Sequence, residues 1–105
     1  MVGLLYLYPN FTLFNRARRR LYEKWSKLAP FAIRVYEFRI GWNYGLVVFP
    51  LNNSFDPSKF IYAIQNILGD ADKLVDSLNE LPSQKNFLRS WTLGQDSLLN
   101  YMGAR

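Results

Sequence analysis

The stretch F-A-I-R-V-Y-E-F-R-I-G-W-N-Y-G-L-V-V-F-P-L, Phe31 to Leu51, decides what kind of sheet this chain builds. Apolar residues alternate with polar ones, the period of a half-buried strand. The parity changes on the way, with Phe31, Ile33 and Val35 on one phase and Tyr36, Phe38 and Ile40 on the other. A β-bulge near Tyr36 would bring both sets onto a single apolar face. Gly41 to Asn43 supplies turn chemistry, and Tyr44 to Leu51 is strand-like again, with Pro50 tolerable at its end or on an edge. The whole stretch predicts a hairpin.

Upstream, V-G-L-L-Y-L-Y (Val2 to Tyr8) is a short apolar run closed by Pro9, which suits a strand buried on both faces. Asn10 or Thr12 can cap a helix, after which Phe14, Ala17, Leu21, Trp25 and Leu28 recur at steps of three and four as far as Pro30. This predicts a first helix over about 11–28. Downstream, Asp56-Pro57 is a helix start, because the aspartate accepts the first free amides and the proline sits where no amide proton is needed. Phe60, Ile64, Ile67 or Leu68, Ala71, Leu74 or Val75, Leu78 and Leu81 then keep helical spacing to Pro82. Gly69 can end one helix there and Asp70 cap another. Ser83 can cap a third segment carrying Phe87, Leu88 and Trp91, which reads either as a helix packed on the same sheet or as an arm over 83–105.

The resulting β-α-β-β-α-α order predicts an α+β fold, a small mainly antiparallel sheet with helices packed on one face. It resembles a ferredoxin-like arrangement that lacks or replaces its last strand. At 105 residues, half of them hydrophobic and 17% aromatic, the chain fits one domain, 1–105, that folds unaided. No apolar run is long enough to span a bilayer, and the opening segment lacks a positive n-region and a cleavage site. A cytoplasmic or otherwise intracellular location, away from membranes, is therefore expected.

The composition narrows the chemistry. With no Cys and no His there is no thiol nucleophile, thiolate or imidazole metal site, or Ser-His pair. No serine lies in a G-x-S-x-G elbow, and neither phosphate-binding glycine motif is present. Asp72, Asp76 and Glu80 fall at four-residue steps, which reads as the solvated face of a helix more than as a cation site. The chain is expected to be non-enzymatic and to need no cofactor.

Charge supplies the positive signal. The net charge is +5, but residues 1–52 hold eight basic side chains against two acidic, and residues 53–105 five against six. N-R-A-R-R-R-L-Y-E-K-W-S-K on the first helix stacks Arg16, Arg20 and Lys24 in one row and Arg19, Glu23 and Lys27 in the next. Like charges four apart repel by a few tenths of a kcal/mol, and only Glu23 relieves them. Nucleic-acid phosphates would compensate. A solvated helix face is the competing outcome. Arg34, Arg39 and Trp42 add cations and an aromatic able to stack on a base, although most aromatics in so aromatic a chain must be core.

The sequence thus predicts a nucleic-acid-binding or regulatory protein, with a homodimer allowed, gripping phosphates through Arg16, Arg19, Arg20, Lys24 and Lys27, assisted by Arg34, Arg39 and Trp42. The alternative is a protein-binding module or inhibitor that meets an acidic partner surface. The small size and lack of catalytic residues would suit an accessory protein of a virus or mobile element.

Overall fold

The computed structural model describes residues 2–24, 32–51, 56–80 and 87–93. In chain order the elements are β1 (Gly3–Tyr8), α1 (Phe11–Lys24), β2 (Ile33–Ile40), β3 (Asn43–Pro50), α2 (Pro57–Leu68), β4 (Lys73–Val75), a 3-10 turn at Leu78–Glu80, and β5 (Phe87–Leu93). The strands form one five-stranded antiparallel sheet in the order β4-β1-β3-β2-β5. The fold is α+β, with two α-helices among the described residues. The Phe31–Leu51 stretch supplies its centre, a hairpin whose register runs from Ile33↔Pro50 to Ile40↔Asn43.

Helix starts follow the local chemistry. Asn10, not Thr12, caps α1, its Oδ1 accepting from the Leu13 N–H at 3.0 Å. Asp56 caps α2 through the Ser58 N–H at 2.9 Å, with Pro57 in the first turn.

Both faces of the sheet are apolar. On one face Leu4, Tyr6, Ile33, Val35, Leu46 and Val48 share a buried cluster with Phe14, Ala17 and Leu21 of α1 and Phe60, Ile64 and Ile67 of α2. Leu5, Phe38, Val47, Phe49 and Val75 make a second buried cluster on the other face, joined by Tyr36 and Ile40. Two glycines let the large rings of that face lie flat on the sheet. A Cβ on Gly3 would sit 2.4 Å from the Phe49 ring, and one on Gly45 2.6 Å from the Phe38 ring.

This two-sided burial corrects the expected bulge in β2. The strand alternates regularly against β3, sending Ile33 and Val35 to one cluster and Tyr36, Phe38 and Ile40 to the other. The change of parity is a change of which face carries the apolar side chain. The irregularity lies on the β5 side, where Glu37 pairs with Arg89 and Phe38 with Phe87, leaving Leu88 as the extra residue.

Two further expectations are corrected. The helical spacing past Gly69 does not make a helix, because Gly69 closes α2 with a positive φ of 86° and its N–H bonded to Gln65 O at 2.8 Å. The chain then hooks onto β1: the Asp72 N–H donates to Leu5 O and the Asp72 carboxylate accepts from the Leu7 N–H. β4 follows, occupying an edge of β1 whose backbone groups would otherwise be unpaired. In so short a strand Val75 is buried and Leu74 exposed. The stretch carrying Phe87, Leu88 and Trp91 is a strand, not a third helix. Trp91 and Leu93 face the helix-side cluster, while Phe87 and Leu88 stay half exposed. Ser83 and the residues from Gly94 onward lie outside the described residues.

Candidate nucleic-acid interface

α1 buries Phe14, Ala17 and Leu21, and that one face determines where its cations point. Arg18 lies on the flank toward β2 and β5. Its Nη1 donates to Glu37 Oε1 at 2.9 Å, its Nη2 to Asn15 Oδ1 at 2.7 Å, and its guanidinium packs 5.2 Å from the Phe14 ring centre. Glu37 is buried, with 2% of its side chain exposed. Its Oε2 accepts from Arg89 Nε at 3.1 Å and from the Trp91 indole N–H. α1 and β5 are thereby tied to one carboxylate of β2. Tyr22 stacks on Trp91 above it, ring centres 4.7 Å apart.

Arg16, Arg19, Arg20 and Lys24 are all exposed. Among the described residues none of them forms an ion pair, both ion pairs being made by Glu37. The structure thus divides the arginine run into one member committed to the fold and three turned to solvent, with Lys24 extending the row. Lys27 lies outside the described residues.

On the flank toward α2, Arg16 and Arg20 line a cavity of about 280 Å³ with Tyr8, Leu13, Ala17 and Leu68. Burial raises the Tyr8 phenol to about 12, with Asp72 adding to the shift and Arg20 opposing it. The phenol is therefore a neutral donor at ordinary pH. Burial also raises Tyr6, with Tyr8, Asp70 and Asp72 adding to it, and its hydroxyl donates to Gly69 O at 2.7 Å.

The remaining sequence candidates separate. Arg39 is exposed, lies 5.2 Å over the Tyr44 ring, and Tyr44 packs on Phe11 and Phe14 at the start of α1. Trp42 is 87% exposed beside Gly41 at the hairpin tip. Arg34 is on the other side of the sheet, where it lines a cavity of about 350 Å³ with Tyr36, Phe49, Pro50, Leu51, Asp76 and Ser77. It shares no surface with the α1 row.

Asp72, Asp76 and Glu80 do not form a helix face. Glu80 accepts from the Asp76 and Ser77 N–H groups instead, and among the described residues no three ligating side chains gather for a metal ion. Sequence reasoning missed Arg18 and Glu37. The available signal was a carboxylate on the same parity as Ile33 and Val35, which needs cations from neighbouring elements if that parity is buried. Among the described residues no helix is long and apolar enough to cross a membrane. The chain matches no protein-family model, and no curated protein or solved structure matches it significantly.

Proposed function

We propose that the protein is a non-enzymatic nucleic-acid-binding protein that grips phosphates with Arg16, Arg19, Arg20 and Lys24 of α1. The observation that carries this reading is that these four cations are exposed without ion-pair partners among the described residues, while Arg18 beside them is paired with Glu37. Four like charges held on a rigid helix repel one another, and phosphates relieve that repulsion while releasing counterions. Arg39 and Trp42 extend the surface at the α1 start, where Trp42 can stack on an unpaired base. Arg34 is left out of this interface. In the same reading, the unit from β1 to β4, with its order β4-β1-β3-β2, is a ferredoxin-like arrangement to which β5 adds an edge strand.

Binding of labelled DNA and RNA, duplex and single-stranded, tests the proposal. Charge reversal in R16E/R20E is expected to weaken binding strongly while the circular dichroism spectrum stays that of the parent. Equal binding by parent and variant overturns it. One feature favours the protein-binding alternative: β5 is an edge strand with Phe87 and Leu88 half exposed, able to pair with a partner strand or a second copy. A stoichiometric protein complex that survives nuclease treatment would support that alternative.

A further inference from the structure

Two cations of the α1 row share a cavity. Arg16 and Arg20, one turn apart, stand over the same hollow of about 280 Å³ as the Tyr8 side chain, with Leu13, Ala17 and Leu68 as apolar walls. Among the described residues neither guanidinium has an ion-pair partner. Two guanidinium groups and a phenol, each able to donate, form the donor set of an oxyanion seat.

Asp72 sets the charge of this seat. It is held in place by the Leu7 N–H at 2.7 Å, beside Tyr8 in the chain, and its charge acts on Tyr8 in the sense contrary to that of Arg20. Asp70 acts on Tyr6, whose hydroxyl is already bonded to Gly69 O, and is not among the charges acting on Tyr8. Two guanidinium charges against the Asp72 carboxylate leave a local charge of about +1, which matches a singly charged anion. A phosphodiester carries one negative charge, whereas a terminal phosphate carries nearly two at neutral pH.

We propose that this cavity seats one internal phosphodiester of the bound nucleic acid, held by Arg16, Arg20 and the Tyr8 hydroxyl, with Leu13 and Leu68 against the adjoining sugar. This inference rests on the polyanion reading of α1 and adds to it a specific seat and a preference for chain phosphates over ends. Arg19 and Lys24 act outside the seat, as general counter-charges.

The test uses the whole chain and two small probes at pH 7.5, followed by NMR titration. One probe is the thymidine dinucleotide with a single phosphodiester and no terminal phosphate; the other is thymidine 5′-monophosphate. The dinucleotide is expected to shift the Tyr8 ring and the Arg16 and Arg20 Nε resonances, and to bind at least as tightly as the more highly charged monophosphate. Tyr8→Phe, which changes no charge, is expected to weaken the dinucleotide about three- to tenfold, in keeping with loss of one hydrogen bond to a charged group at a partly solvated site. Asp72→Asn keeps an acceptor for the Leu7 N–H and should turn the preference toward the monophosphate.

Monophosphate binding severalfold tighter than the dinucleotide, or a Tyr8→Phe variant equal to the parent, overturns the seat. A 12-residue oligonucleotide separates the two levels of the account. If its binding is weakened in R16Q/R20Q and in R19Q/K24Q alike but unchanged in Y8F, the seat is wrong and the α1 reading stands. If it does not bind at low salt, both fall.

Discussion

Replacing Glu37 with Gln should be the most damaging single polar substitution in the described structure. The carboxylate is 2% exposed and receives hydrogen bonds from Arg18, Arg89 and Trp91. Gln keeps the shape but removes the charge, and it places an amide N–H₂ where the parent presents only acceptors to three donors. Arg18, with 19% of its side chain exposed, is left as a largely buried cation without a counter-charge. Breaking a buried pair in this way costs roughly 3–5 kcal/mol, out of a total stability of roughly 5–15 kcal/mol for a domain. At about 4–8 °C per kcal/mol for a domain of this size, the melting temperature should drop by roughly 12–40 °C. The same geometry orders the partners. Arg18→Ala leaves Glu37 bonded to Arg89 and Trp91 and should cost about 1–3 kcal/mol. Arg89, whose side chain is 52% exposed, should cost under about 1 kcal/mol on replacement by Ala. Urea and thermal unfolding of the three variants check this. A Glu37→Gln shift within about 3 °C, or Arg89→Ala as the worst of the three, would refute the reasoning.

Three further outcomes are expected. Gly45→Ala places a methyl 2.6 Å from the Phe38 ring and should cost about 1–3 kcal/mol in urea unfolding; a neutral result would contradict the packing of that face. Asp56→Ala removes the cap on the Ser58 N–H and should cost about 1 kcal/mol, with Asp56→Asn restoring most of it. Because burial raises Tyr8 to about 12 and Tyr6 in the same direction, against about 10 in the unfolded chain, the unfolded state releases protons that the folded state keeps. Stability present below about pH 10 is therefore lost as pH rises toward 12, and Tyr8→Phe should blunt that fall in urea midpoints measured from pH 8 to 11.5.

What could be read from the sequence follows from how local each signal is. The α1 start at Asn10, the Asp56-Pro57 start of α2, its stop at Gly69 and the β2–β3 hairpin are set by a few adjacent residues, and the structure has them where the pattern puts them. β4 and β5 are not local. Lys73–Val75 is a strand because β1 has an open edge, and Phe87–Leu93 because β2 has one. In both, apolar residues three and four apart imitate a helix. The parity change in β2 was visible, but one-sided burial was the wrong premise: Phe38 and Ile40 have their own cluster on the second face. Of the candidate site, the α1 row was legible because helix spacing alone puts Arg16, Arg19 and Arg20 clear of Phe14, Ala17 and Leu21, and Lys24 is exposed at the last position of the helix. The separation of Arg34 from that row, and the commitment of Arg18 to Glu37, depend on which strand face each residue occupies.

The central claim is that the four exposed cations of α1 meet phosphates, and its most direct test is the salt dependence of nucleic-acid binding by parent and R16E/R20E. Four phosphate contacts give a slope of log affinity against log salt of about −2.8 for single strands and about −3.6 for duplex, a loss of roughly 50- to 150-fold between 50 and 200 mM. The variant should bind more weakly at every salt concentration, with a slope about half as steep. A parent that binds without salt dependence, or a variant whose affinity and slope match the parent's, would contradict the account.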